Sequence, residues 1–540
     1  MKQDLVYLKR NVVPEPLFAK WYAWSHLISP ATAAMNITDR HLKIMGSYIQ
    51  APQIHAAAVK NPKMLGGPFM DFEGQNRVED VKKLKDETLN GQDKMIALSE
   101  AIRTLNRLLK SEAKGYSLNS LYEKIPEELQ GLVELYYDVN NQPGFRFFEP
   151  LLYNSEFYDD SYQSIALYLI TDDDRPFVLS TPRLDGENVL MLDIPFKHEG
   201  IDELFKMQRT PNSYARIKEM LGITPEQEAI FETFFTEQAP EPYSNYEGDG
   251  IRSRYFGHAC ILVETKDVSI LSDPVISYGY DAEISRYTYT DLPDEIDYVV
   301  ITHNHQDHIL FETMLQLRHK VKNIIVPKNG GGNLQDPNLK LMFEVLGFKN
   351  VIEIGEMDKI EMADCTITGL PFLGEHADLD IRTKLCHHVQ LKHLSVLFAA
   401  DSCNVAPKVY EYVYKMVGDV DLLFLGMECD GAPLTWLYGP LMTEQIERDK
   451  DQSRRLAGSN YERGIDLVNR FNPKEVYVYA MGQEPWLNYI MTIKYTDESN
   501  PIIASNKLID ECKSRGIFAE RLFGEKETLY NSDLEVLEAN

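Results

Sequence analysis

Residues Thr302-His303-Asn304-His305-Gln306-Asp307-His308 follow a short apolar run, Asp297-Tyr298-Val299-Val300-Ile301. A β-branched run of this kind predicts a buried strand, with His-x-His-x-Asp-His in the loop at its end. In extended backbone, residues two apart point the same way, so His303 and His305 can reach one metal ion. Asp307 and His308, after the chain turns, can reach a second. A chain with this motif needs buried strands that end together at one site, as layered α/β folds provide. The chemistry expected there is metal-dependent.

At 540 residues the chain is too long for one ordinary domain. A break falls at Gln238-Ala239-Pro240-Glu241-Pro242 and continues to Gly248-Asp249-Gly250, where proline, glycine and acidic residues make a linker. Residues 1–240 are expected to form an α+β domain. Met95, Ile96, Leu98, Ile102, Leu105, Leu108 and Leu109 fall largely at helical spacing and mark an amphipathic helix there. The runs Phe145–Phe148, Ser164–Ile170 and Asn188–Asp193 read as strands. No catalytic constellation is evident in this half.

Residues 251–525 read as strands alternating with helices. Strands are expected at Cys260–Glu264, Val268–Leu271, Ile324–Val326 and Thr366–Thr368. Three later ones run straight into polar residues: Leu394–Ala400 into Asp401, Asp421–Met427 into Glu428, and Val476–Met481 into Gly482-Gln483-Glu484. Ser459 and Glu462 have the spacing of a capping box before a helix through Ile465–Phe471. Two residues complete the metal constellation. One comes from Gly374-Glu375-His376, where Glu375 and His376 compete for the same position. The other is Asp401, whose carboxylate at a strand end can bridge two cations.

Composition narrows the function. No stretch of eighteen apolar residues is present, so no membrane span is expected. Met1–Leu5 lacks an apolar signal core, and the six cysteines are scattered singly with no Cys-x-x-Cys pair. A cytoplasmic protein with reduced thiols is the expectation. The net charge of −28 repels nucleic acid and anionic membranes, which argues against nuclease activity. Arg318–Lys322 and Arg454-Arg455 are local basic features that could be docking patches or ordinary solvated faces. Asn329-Gly330-Gly331-Gly332-Asn333 could cradle a phosphate or be a turn; it lacks the spacing of a phosphate loop.

The stretch from Phe256-Gly257-His258 through Asp273-Pro274, His303–His308, Gly374-Glu375-His376 and Asp401 resembles the metallo-β-lactamase superfamily. The resemblance implies an αββα sandwich over residues 251–525, preceded by the N-terminal α+β domain. Zinc hydrolases of this superfamily usually place a further histidine after a late strand, and no histidine follows His393 here. If Glu375 is the mid-chain ligand, the donor set is rich in oxygen and suits iron or manganese. The flavin-linked diiron members are a poorer match, because they differ within the motif and carry a flavin domain after the metal domain.

Gly374-Glu375-His376, Ala400-Asp401 and Met427–Pro433, with the large preceding domain, resemble the diiron β-hydroxylases of chloramphenicol and peptide-antibiotic biosynthesis. That resemblance implies a dioxygen-dependent monooxygenase with two iron ions. Its substrate is an aminoacyl group tethered through phosphopantetheine to a carrier protein of a nonribosomal peptide synthetase. An electron donor is implied too, and the N-terminal domain would serve dimerisation and carrier recognition. By position, His303, His305 and Glu375 would bind one iron, Asp307 and His308 the other, and Asp401 would bridge. Glu428, Asp430 and Glu484 are candidates for a further contact. Trp436, Tyr438 and Trp486 could line the entrance or pack in the interior. The global charge opposes a carrier partner, since carrier proteins are usually acidic. The alternative reading is a binuclear zinc hydrolase of a thioester, lactone or phosphoester, with His376 as ligand in place of Glu375.

Overall fold

The computed structural model describes residues 5–62, 64–531 and the backbone of Val536–Leu537. Met1–Asp4, part of the segment read as lacking a signal core, lie outside the described residues. Two β-sheets make the C-terminal half. An eight-stranded sheet runs in the order Val351–Ile354, Val321–Pro327, Ile296–Val300, Ser269–Ser272, Cys260–Glu264, Ile251–Gly257, Lys526–Tyr530, Val536–Leu537. Its first four strands pair in parallel and the others antiparallel. A seven-stranded sheet takes its strands in chain order from Lys359–Glu361 to Phe518–Arg521. It changes from antiparallel to parallel at Leu394–Phe398.

The inner faces of the two sheets pack on each other through Ile261, Val263, Val300, Ile325, Val389, Val396 and Phe424. The strands are buried on both sides, because helices such as Pro407–Val417, Tyr461–Phe471 and Asn500–Ser514 cover the outer face of the seven-stranded sheet. This is the expected αββα arrangement. The strands Ile296–Val300, Leu394–Phe398, Leu422–Gly426 and Glu475–Tyr479 all deliver their following loops to one rim of the sandwich, and the motif lies there.

Around these, the N-terminal half is α+β. Val12–Phe18 and Gln163–Leu169 are the inner strands of a four-stranded sheet, and Asp93–Glu112 is the helix expected from the Met95–Leu109 pattern. One apolar cluster runs through both halves and includes Leu27 and Met35 with Phe311, Leu437 and Trp486. The helix Phe311–Leu317, which begins three residues after His308, is buried throughout. Its Glu312 accepts two hydrogen bonds from Arg175 of the N-terminal half, each 3.0 Å long. No helix among the described residues is long and apolar enough to cross a membrane.

Three local readings differ. The helix Tyr461–Phe471 is capped by Asn460, whose side chain accepts from the Arg463 amide. Ser459 donates instead to the Ser402 carbonyl, so no Ser459–Glu462 box forms. The basic run at 318–322 is no docking patch. Arg318 is buried and donates to the Phe196 and Leu346 carbonyls, and buried Lys320 donates to the Pro293 carbonyl. The glycine-rich turn is a seam between the halves: Asn329 donates to Glu149, and the Gly332 carbonyl accepts from the Phe147 amide.

Candidate metal centre

The strand Ile296–Val300 ends at Thr302, and a small network there orients two of the motif's imidazoles. Asp273 Oδ1 accepts from the Thr302 amide at 2.7 Å, and Asp273 Oδ2 accepts from the Thr302 hydroxyl at 2.5 Å. Since the hydroxyl proton goes to Asp273, Thr302 Oγ1 is left to accept from His303 Nδ1 at 3.0 Å. His308 Nδ1 likewise donates to Asp273 Oδ2 at 2.8 Å. Both rings therefore carry a proton on Nδ1 and turn Nε2 to the rim, the nitrogen that a cation there would take. A carboxylate behind a metal-binding histidine fixes tautomer and orientation in just this way.

Opposite them stand two carboxylates from other strand ends. Asp401 Oδ2 is 2.9 Å from His308 Nε2 and 3.7 Å from His303 Nε2. Gly426 on the neighbouring strand leaves room for it, because a Cβ there would collide with Asp401 Oδ1. Glu375 Oε1 is 2.8 Å from His305 Nδ1, and its Oε2 is 3.8 Å from His303 Nε2. Glu375 has a left-handed backbone, φ 63°, which is uncommon for a side chain with a Cβ and typical of strained functional loops. Asp307 completes the ring, with Oδ2 3.7 Å from His308 Nε2.

These six residues, all expected from the sequence, are brought together. Their donor atoms form groups within 4.8 Å: His303 with His305 and Glu375, and His303 with His308 and Asp401. A third group joins Asp307 and His308 to His258. His258 Nδ1 accepts from the Gly482 amide at 3.2 Å, so its Nε2 proton is directed at Asp307 Oδ2, 3.1 Å away. It orients Asp307. The sequence did not mark His258 for this role; the one local sign is the reversed backbone at Gly257-His258.

His376 lies outside all three groups. Its Nδ1 is 2.8 Å from the Tyr438 hydroxyl, which is also 2.9 Å from His305 Nε2. When His305 offers Nδ1 to a cation, its Nε2 proton goes to Tyr438, and Tyr438 passes its own to His376 Nδ1. His376 Nε2 stands 3.4 Å from Glu375 Oε2, with no hydrogen bond between them. Tyr438 is thus an interior residue tying two histidines together. Of the other aromatics, Trp436 lines the space over the site, whereas Trp486 is buried against Gly257 and Arg286.

The electrostatics fit a cation pair. His303 Nε2, Glu375 Oε2 and Asp401 Oδ1 are buried with no hydrogen-bond partner. A cavity of about 210 Å³ is lined by Asp307, Glu375, Asp401 and Glu428, four carboxylates with apolar walls behind them. Burial, with the charges of Asp401 and Asp307, pushes Glu428 well above the ordinary carboxylate range, and burial also raises Glu375. Burial opposes a charged His308, yet Asp401, Asp307 and Asp273 hold it well above the ordinary imidazole range. Such a carboxylate set is costly without a positive partner. Of the further candidates, Glu428 lines this cavity, Asp430 is exposed and bonded by Asn500, and Glu484 is buried and bonded by the Tyr255 hydroxyl.

Comparison with known proteins decides the family. Residues 7–240 match the "diiron non-heme beta-hydroxylase N-terminal domain", and residues 269–432 match the "beta-lactamase superfamily domain". A Streptomyces venezuelae protein is 40% identical over 526 residues, 95% of this chain and 98% of its own. It is described as a 3-hydroxylase of 4-amino-L-phenylalanyl on the CmlP peptidyl carrier protein. The chain belongs to the diiron β-hydroxylase family. The crystal structure of CmlA, a diiron β-hydroxylase from the same organism, superposes with a TM-score of 0.91 at 38% identity, over 97% of this chain and 99% of that one. A mutant of that β-hydroxylase gives a TM-score of 0.89 at the same identity. As a diiron β-hydroxylase the protein is an oxidoreductase that uses iron and dioxygen, and the zinc-hydrolase alternative is set aside.

Proposed function

We propose that the protein hydroxylates the β-carbon of an aminoacyl group carried as a thioester on the phosphopantetheine arm of a carrier protein, within natural-product biosynthesis in the cytoplasm. Residues 1–240 would recognise the carrier or form a homodimer, and residues 251–525 would hold the metals. His303, His305 and Glu375 would hold one iron, Asp307 and His308 the other, and Asp401 would lie between them. The observation carrying this reading is the convergence of the buried, unpartnered atoms His303 Nε2, Glu375 Oε2 and Asp401 Oδ1 on one set of imidazoles.

The irons, when bound, supply the activation of dioxygen. The protein's part is positional. Asp273 and Thr302 hold His303 and His308 in their metal-binding tautomers, His258 holds Asp307, and Tyr438, itself bonded to His376, holds His305. Leu437, Leu456 and Ile490 keep bulk water from the site and give an aromatic or aliphatic side chain an apolar wall. A reductant must deliver electrons, so an electron donor is a required partner.

Intact-mass analysis of an aminoacyl carrier protein, incubated with enzyme, reductant and oxygen-18 gas, tests the reading. Incorporation of one labelled oxygen on the aminoacyl group is expected. Thioester cleavage without incorporation would refute it.

A further inference from the structure

The seam between the two sheets holds a polar group that the metal site does not use. Glu475 opens the strand Glu475–Tyr479 at the end away from the metals, on the same face as Tyr477 and Tyr479. Its Oε2 accepts from the Tyr477 hydroxyl at 2.6 Å. The same oxygen accepts from the hydroxyl of Tyr530, on the facing sheet, at 2.7 Å. All three side chains are buried. A carboxylate holding two phenols is a costly filling for this seam, because aliphatic side chains would close the sheets without desolvating a charge.

From this triad a row of rings leads to the metal rim. Phe424 stacks on Tyr477 with centroids 5.0 Å apart and 17° between the planes, and it lies 5.6 Å from Tyr479. Tyr479 stands fully buried at the rim end of the strand. Its hydroxyl accepts from the amide of Ala400, the residue before Asp401. At the far end Tyr477 is 5.9 Å from Phe518, which is 47% exposed. The rings thus connect the neighbour of Asp401 with the opposite surface, through the middle of the sandwich. A phenol gives up an electron readily only when its proton can leave at the same time, and Glu475 Oε2 is placed to take it from Tyr477 or Tyr530.

We propose that Tyr479, Tyr477 and Tyr530 form an electron path that protects the metal centre when dioxygen is reduced there with no substrate in place. Each passage moves one electron from Tyr477 by way of Phe424 and Tyr479 to the irons. The Tyr477 phenolic proton passes to Glu475 Oε2, leaving a neutral phenoxyl radical beside a carboxylic acid. Tyr530, on the same oxygen, can share the radical by the same exchange. A one-electron reductant at the surface beside Phe518 returns the electron, and Glu475 returns the proton. Dioxygen is the oxidant and leaves as water, with its protons drawn from solvent. The ligands of the irons are thereby spared oxidation.

Freeze-quench electron paramagnetic resonance of the iron-loaded, full-length protein tests it, after chemical reduction and mixing with oxygenated buffer without substrate. A tyrosyl radical is expected, with a hyperfine pattern that collapses when the protein carries ring-deuterated tyrosine. Tyr477→Phe/Tyr530→Phe is expected to lose the radical and to lose its iron in fewer cycles of reduction and oxygenation than the wild type. Glu475→Gln keeps both phenols and a hydrogen-bonding side chain but removes the proton acceptor, and it is expected to do the same. The Mössbauer spectrum before oxygenation is expected to match the wild type in both variants, since neither touches the metal ligands. A wild type without the radical, a radical of undiminished yield in the variants, or variants as durable as the wild type would overturn the proposal.

Discussion

Arg175 of the N-terminal half grips Glu312 of the metal domain with two hydrogen bonds of 3.0 Å, both side chains almost wholly buried. Arg175 also stacks on Tyr489, its guanidinium 3.6 Å from the ring centroid. Glu312 lies in the first turn of the helix that follows the metal motif, so the N-terminal half braces the motif from behind. Removing one partner leaves a buried charge unpaired. Arg175→Met is expected to cost about 3–5 kcal/mol, read as a lowered urea midpoint, and to reduce iron retention. The double change Arg175→Met/Glu312→Leu should recover part of the stability. A single variant with unchanged midpoint would show that the pair contributes little.

The Tyr438 hydroxyl joins His305 to His376, and His305 in turn stands 2.8 Å from Glu375. Tyr438→Phe keeps the ring and removes the link. Iron affinity is expected to fall about 10- to 100-fold, as for other partners of metal-bound histidines, with a matching change in the iron absorption spectrum. His376→Gln should show a weaker version of the same effect. A spectrum and affinity equal to wild type would exclude the link.

Asp273 stands behind His308 in the same sense. Asp273→Asn withdraws the charged acceptor for the His308 Nδ1 proton and the anchor of Thr302. If Asp307 and His308 hold one iron as proposed, that iron is expected to be lost first, giving protein with about half its iron and no coupling between irons. Metal analysis with electron paramagnetic resonance checks this, and a full, coupled pair would contradict it.

The sequence showed the site more fully than its support. Strand-end carboxylates announced themselves because a polar residue after a buried run has few roles other than a cap or a ligand, and Asp401 and Glu375 both reach the centre. Glu375 and His376 could not be separated in the sequence, since their difference depends on Tyr438. The basic run at Arg318 read as surface because its acceptors, the Phe196 and Leu346 carbonyls, are distant in sequence. Asn460 displaced Ser459 as a helix cap because Ser459 is needed at the Ser402 carbonyl. His258 and Arg175 act through contacts that form only when distant segments pack.

Glu149 makes stability depend on pH. It accepts from the Asn329 side chain and the Asn338 amide across the domain seam, and burial raises its pKa from 4.5 to about 7. The folded state thus holds a proton that the unfolded state releases. The stabilisation is complete below pH 4.5 and is lost as pH rises through about 7. Glu149→Gln, which cannot ionise, is expected to lose less stability than wild type between those limits. Denaturation midpoints measured across the range check it, and parallel curves for the two proteins would refute it.

The buried imidazole–carboxylate cluster is proposed to hold an oxygen-reactive iron pair. Mössbauer spectroscopy of protein grown on iron-57, before and after reduction and exposure to oxygen, tests it most directly. A coupled diiron site that is reduced, then reoxidised by oxygen, and lost in Asp401→Asn is expected. Tightly held zinc, with iron unable to form a coupled and reactive pair, would contradict it.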